Sequence, residues 1–565
     1  MSVPAAERTV AAPHPPAAER TVPDTRHAGR AAPAPSEALL ARRRRTATLT
    51  GLLTLAAVLG VLVGVILHLN GGSFTYVVDD AYIHLSISRN LAQTGTYGMV
   101  PGVYESATSS PGWVGILAGL IRVAPGAAMW FPLALNVLAA GGVLVLVLRA
   151  QSFLFAIPSA ALRGAAYVLL PLTLFLPALV LLGMEHTLHS LLVVALLLML
   201  PRAFDHRLSR RELLGLAALS LLAGAVRYET LFLAGGAAVA LLLVPQPSSL
   251  RAVVGRLRRP ELWAFLVPPL LVTAVLGVIN LAHGQYFLPN SVLAKSGLGS
   301  GHGLSGWLPS TAGMIDTLTQ DLGACALLAI GVMYLVLRKL RGAQSGLWLA
   351  WCVMALLHVM YARWGWYDRY QAYIVVSGTL LLLRTLPELR IRRPMYLGAA
   401  LLAVLVVLPI TKLEKDFQTP DYAHQISREQ ANVGRLLAAD YDGQTVMVND
   451  IFQVSWQHRG GLDDLWALGS YDILRAYRNG EMGKPFVASI AARDNVAVAA
   501  VFGVLHTYIP DEWVQVARWS TADTGRPEDS DVVFYARDAA GAAVLRADLA
   551  RFASSLPPDV VQVLH

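Results

Sequence analysis

The chain has 565 residues, 55% of them hydrophobic and 15% charged, and its mean hydropathy is +0.52. Those values set the class as a polytopic membrane protein. The net charge of +8 invites a nucleic-acid reading, but the arginine clusters fall at the ends of apolar runs, where membrane topology accounts for them. Cys325 and Cys352 both lie inside apolar runs, so no disulfide framework is implied.

In chain order, residues 1–46 are rich in Ala, Pro and Arg, and AAERTV occurs at 5–10 and again at 17–22. Such a segment buries too little apolar surface to fold, and a disordered, basic cytoplasmic tail is expected. It ends in Arg42–Arg45, before an apolar run over about 46–69 that is too long for a cleaved signal peptide and reads as a retained span. Runs of spanning length follow near 128–148, 160–181, 187–201, 212–226, 229–245, 262–282, 321–337, 346–361, 370–386 and 395–411. That makes about eleven spans across 47–411. Alternated from an inside N-terminus, the inner loops collect Arg149 and Arg163, then Arg202 to Arg211, Arg251 to Arg259, Arg338 to Arg341 and Arg384 to Arg393. This follows the positive-inside rule and places residues 412–565 outside. In that tail TVMVND, VAVAAVFGVLHTYI and DVVFYARD read as strands and AHQISREQANVGRLLAADY as an amphipathic helix, which predicts a soluble α/β or α+β domain.

Two outer loops are long, about 70–127 and 283–320. The first carries Asp79 and Asp80 where the first span meets water. Carboxylates at a membrane cavity are candidates for function, and they are the usual bases when a sugar-transfer hydroxyl loses its proton. The other reading is that Asp80 caps a helix starting at Ala81 while Asp79 is solvated. After them Ile83, Ile87 and Leu91 share one helical face and Asp79, Tyr82, Ser86 and Arg89 another, which predicts a helix lying in the membrane interface with its polar side toward a cavity. Val114–Val123 is apolar but too short to span. The loop over 283–320 is expected to be irregular.

Asp79-Asp80-Ala81-Tyr82, Arg89-Asn90-Leu91, Gly95, Glu105 and Thr108-Ser109-Ser110-Pro111-Gly112-Trp113 resemble the first-loop signature of GT-C fold membrane glycosyltransferases. The similarity is to bacterial envelope arabinofuranosyl- and mannosyltransferases. Gly183-Met184-Glu185, Arg227-Tyr228-Glu229, Leu288-Pro289-Asn290-Ser291 with Ala294-Lys295, and Arg369-Tyr370 resemble later motifs of that group in the same order, over roughly residues 70–475. Tyr228 stands where the relatives usually have Pro, and Pro-Gly-Trp replaces their Pro-Leu-Trp, which touches the sugar rather than the fold.

The resemblance implies a polyprenyl-phosphate sugar donor and a cell-envelope glycan or glycolipid acceptor, used on the outer face of a bacterial plasma membrane. Position in the motif assigns Asp79 as base and Asp80 as its partner. Lys295, Arg227 and Arg369 are the donor-phosphate candidates, cations suited to a leaving phosphate. Tyr82, Arg89, Glu105, Glu185, Glu229, Asn290 and Trp366 are the sugar and acceptor candidates. Rival readings stand beside these: a structural ion pair between Arg227 and Glu229, a solvated loop lysine at Lys295, and an interfacial aromatic belt around Arg369. Glu185, His186 and His189 lack a further metal ligand set, and no nucleotide-binding glycine loop is visible, so neither metal nor cofactor is expected. A transporter or lipid-linked saccharide flippase is the alternative, although no internal repeat supports it.

Overall fold

The structure, a computed structural model, describes residues 36–157, 159–205, 207–296, 311–362, 364–365, 367–388, 413–521 and 531–565. The expected span over 395–411, the tail before residue 36, and Trp366 lie outside the described residues, as does the side chain of Lys295.

Among the described residues, six helices are long and apolar enough to cross a membrane: α1 (Glu37–Leu69), a unit over Pro125–Ala150 that includes α4 (Phe131–Ala150), a unit over Ala160–Leu181, α8 (His186–Asp205), α12 (Pro260–Ala282) and α16 (Ala343–Tyr361). A short helix α5 (Phe153–Ala156) follows α4, and the Ala160–Leu181 unit consists of α6 (Ala160–Thr173) and α7 (Leu176–Leu181). The other expected spans are helical but shorter: α9 (Arg210–Val226), α10 (Thr230–Leu243), α15 (Leu322–Arg338) and α17 (Ala372–Thr385). The run expected over 229–245 yields 14 helical residues, about 21 Å at 1.5 Å per residue, because Arg227–Glu229 form a turn before α10. Close approach of these helices rests on small residues. A Cβ on Gly224 would lie 2.7 Å from Pro269 Cβ, and one on Gly236 would lie 2.2 Å from the Ala350 carbonyl oxygen.

Three expectations are corrected here. Residues 37–46 are helical, since Ser36 caps α1 by accepting the Leu39 N–H at 3.3 Å, and Arg43 donates to the Phe155 carbonyl at 2.5 Å. Helix α2 (Asp80–Thr94), closed by Gly95 in the left-handed region at φ 73°, is not an amphipathic surface helix. It is buried on every face, between α3 (Pro111–Val123) on one side and the C-terminal region on the other. Its polar side meets protein rather than water: Ser86 Oγ lies 3.0 Å from Ser455 Oγ, and Arg89 donates to the carbonyls of Ser455 and Trp456. The segment after α12 holds two helices, α13 (Asn290–Ser296) and α14 (Thr311–Thr319), where an irregular loop was expected.

The C-terminal region begins with a helix over 413–428, then α19 (Gln430–Asp440). A six-stranded mixed sheet follows, in the order β2-β1-β3-β5-β4-β6. β1 (Val446–Val448) runs parallel to β2 (Leu462–Asp464) and β3 (Val498–Phe502). β5 (Val532–Ala536) pairs antiparallel with β3 and with β4 (Val514–Thr521), and β4 with β6 (Val560–Leu564). Helix α20 (Ile451–Gln457) links β1 to β2 and packs on α2. The apolar core is continuous across this seam, joining Tyr82 and Leu85 of α2 to Phe452 and Val454 of α20.

Candidate active site

The N-terminal end of α2 places both acids, but in different surroundings. Asp79 is the residue before the helix. Its Oδ1 accepts the Asp80 N–H at 2.8 Å and its Oδ2 lies 3.4 Å from Gln430 Nε2 of α19. Burial, then the neighbouring Asp80 charge, push its carboxyl up to about 6, against the opposing pull of Arg369. Asp80 instead lines a cavity of about 340 Å³, in the size range of small-ligand sites. Its carboxylate is ion-paired to Arg369, which stands in the turn before α17 and is wholly buried.

Arg369 is only partly satisfied. Its Nη2 serves Asp80 and the Tyr370 hydroxyl (3.1 Å), while Nε and Nη1 have no hydrogen-bond partner among the described residues. Arg369 therefore keeps hydrogen-bonding capacity beside the cavity that the described residues do not fill. Arg227 presents the opposite case. It is clamped between Glu185 and Glu229, with Nε 2.9 Å from Glu229 Oε2 and Nη1 ion-paired to Glu185. The ring of Tyr370 lies between the two guanidiniums, 5.0 Å from Arg369 Cζ and 5.8 Å from Arg227 Cζ.

One helical turn beyond Asp80, His84 also lines the cavity. Its Nε2 lies 2.9 Å from Thr108 Oγ1 and its Nδ1 3.4 Å from Glu185 Oε2, and Ser110 Oγ donates to Glu185 Oε1 at 2.7 Å. The Thr-Ser-Ser run of the first loop is thus tied to α2 and to the start of α8. The cavity's other wall is apolar, from Leu231 and Phe232 of α10 and Leu288 and Val292 around α13. The C-terminal region supplies Leu468, at the end of a turn in which Asp464 accepts the N–H groups of Trp466, Leu468 and Gly469.

Of the expected site residues, Asp80, Glu185, Arg227, Glu229 and Arg369 line this one cavity. Asn290 adjoins it next to Ser291, which lines it. Tyr82 does not reach it: its ring is fully buried and its hydroxyl accepts the Tyr76 N–H at 3.1 Å. Arg89 is spent on α20, stacked 5.0 Å over the Trp456 ring. Glu105 sits at the seam with the C-terminal region, near Gly469, and burial raises its carboxyl well above the usual range. His186 and His189 turn to Arg227 and Thr230 at 3.4 and 3.1 Å, and no group of three His, Cys, Asp or Glu among the described residues is placed to hold a metal ion. Sequence reasoning missed His84 and Tyr370. The four-residue step from Asp80 to His84 was the available signal for the first.

No family model and no curated protein matches the chain. Among solved structures it is similar to the oligosaccharyltransferase of Archaeoglobus fulgidus in the apo form, at 11% identity over 90% of this chain and 76% of that one, with a TM-score of 0.43. It is also similar to the archaeal oligosaccharyltransferase of that organism in complex with an inhibitory peptide and a dolichol-phosphate, at 12% identity over 90% and 76% of the two chains, with a TM-score of 0.39.

Proposed function

We propose that the chain is a GT-C type glycosyltransferase that moves a sugar of pentofuranose or mannose type from a polyprenyl-phosphate donor to a cell-envelope glycan or lipid on the outer face of the membrane. The observation that supports it is the meeting, in one cavity, of a carboxylate, an arginine with spare donors, and an apolar wall. The apolar wall suits the first isoprene units of a carrier lipid, and the arginine suits its phosphate.

Asp80, rather than Asp79, is the base in this reading, because geometry comes before pKa and only Asp80 faces the cavity. The acceptor hydroxyl attacks the anomeric carbon and its proton passes to the Asp80 carboxylate. The bond between that carbon and the phosphate oxygen breaks, and its electron pair leaves with the prenyl phosphate. Arg369 Nε and Nη1 neutralise the charge that grows on that phosphate. Arg227, already bridging two carboxylates, braces the floor, and His84 holds the first loop against Glu185.

The test is transfer from a synthetic prenyl-phosphate sugar by purified protein in detergent. Asp80→Asn is expected to lower the rate by about 10²–10⁴-fold, the range of a lost general base, and Asp79→Asn by less than about tenfold. Full activity in Asp80→Asn would remove this acid from the mechanism.

A further inference from the structure

Arg369 reaches the cavity from a turn that does not hold its own shape. The two residues before it, Tyr367 (φ 65°) and Asp368 (φ 55°), both stand in the left-handed region. That conformation is unfavourable for residues with a Cβ, most of all a bulky one, and it persists only where surrounding contacts fix it.

Much of the fixing comes from the helix over 413–428, at the start of the C-terminal region. Lys415 Nζ is ion-paired to Asp368 Oδ2 at 2.5 Å. The Tyr367 hydroxyl donates to the Lys415 carbonyl at 2.7 Å and lies 2.7 Å from Thr419 Oγ1, while its ring meets Tyr422 edge-on at 5.2 Å. On the other side, Gln371 Nε2 donates to Asp368 Oδ1 at 2.8 Å, and its Oε1 accepts the Gly365 N–H at 3.1 Å. The helix is seated in turn on the membrane part. Asp416 Oδ1 accepts the Ala178 N–H of α7 at 2.9 Å, and His424 Nδ1 lies 2.8 Å from Asn70 Oδ1, just beyond α1. Neither Asp368 nor Lys415 is on the cavity wall, so their route to the chemistry runs through Arg369.

We propose that Asp368 and Lys415 are positioning residues: their ion pair holds the strained turn that carries Arg369, so that the seating of the C-terminal region sets the cavity's affinity for a lipid phosphate. The inference rests on the transferase reading above.

Farnesyl phosphate binding and thermal unfolding are measured on the full chain in detergent for the wild type, Asp368→Asn and Lys415→Met. Asp368→Asn decides the sign. It removes a negative charge beside Arg369, so a plain field effect would tighten the binding of an anion, whereas lost positioning weakens it. Asn tolerates the left-handed region, and the Lys415 side chain is 35% exposed, so both variants are expected to fold. The expected result is an affinity lower by about tenfold in each, with melting close to wild type. Combining Lys415→Met with Arg369→Lys should add little to the loss from Arg369→Lys alone, because the lysine variant acts through the arginine. Unchanged or tighter binding in Asp368→Asn, affinity that falls only in step with melting, or additive losses in the double variant would overturn the assignment. Failure of the wild type to bind farnesyl phosphate would instead overturn the transferase reading, and this inference with it.

Discussion

The cavity has two charged loci, and they are built on different principles. At Arg227 the guanidinium is answered from within the chain: two carboxylates bracket it, Ser110 donates to Glu185 Oε1, and His84 Nδ1 lies 3.4 Å from Glu185 Oε2. At Arg369 the described residues supply one carboxylate and one hydroxyl and leave two N–H donors without a hydrogen-bond partner. Burying an ion is tolerable only when its partners and hydrogen bonds are complete. A closed set is therefore what a structural brace looks like, and an open set is what a ligand site looks like. A cation's presence in a motif does not separate the two. Its count of satisfied donors does.

The strongest way to break this comparison is Arg227→Met. It strands Glu185 and Glu229 in a buried site, and a loss of roughly 3–5 kcal/mol is expected in thermal unfolding of the detergent-solubilised protein. A melting temperature close to wild type would mean that Arg227 is not a brace. The comparison is sharpened next by lysine at both places. Arg369→Lys keeps a charge for Asp80 but removes the planar fork. Donor turnover should fall by about 10²-fold with little change in melting, in line with the loss of one preorganised donor. Arg227→Lys should show the reverse, because a single ammonium does not bridge two carboxylates in the same way. Equal effects at both positions would erase the distinction drawn between them.

How much of this was readable in the sequence follows the same division. Each expected apolar run among the described residues holds a helix, because hydropathy acts locally. Their lengths were less legible, since the Arg227–Glu229 turn is set by ion pairs with distant Glu185. The first-loop motif identified the acids, yet it ranked Asp79 first. In the fold Asp80 is on the cavity wall, while Asp79 Oδ2 lies 3.4 Å from Gln430 of α19, a placement that the motif alone does not give. Arg89 and Tyr82 misled for one reason: a polar helical face predicts a polar partner, and a neighbouring helix supplies one as readily as a ligand does. Of the strands not read from the sequence, β2 has only three residues, Leu462–Asp464, and β4 carries a register shift between Gln515 and Ala517.

The smallest expected effect concerns Asp79, which borders the open locus without belonging to it. The groups around it are Asp80, Arg369, Gln430 and Asp450, and Asp450 is itself pushed up by burial and by Asp79. A folded-state value of about 6, above the ordinary carboxyl near 3.8, means that the folded chain holds this proton more tightly than the unfolded one. The stabilisation is thus fully present below the unfolded value and is lost as pH rises from about 4 to about 6, the reverse of a carboxylate held down by a cation. Asn in place of Asp79 keeps the side chain neutral at every pH. Melting of the wild type should therefore fall relative to Asp79→Asn across that window, by an amount on the order of 1 kcal/mol once partial exposure is allowed for. Above pH 6.5 or so the variant should be the more stable of the two, even though it has lost nothing that faces the cavity. Parallel profiles would mean that Asp79 is ionised throughout, and would return it to contention with Asp80 as the base.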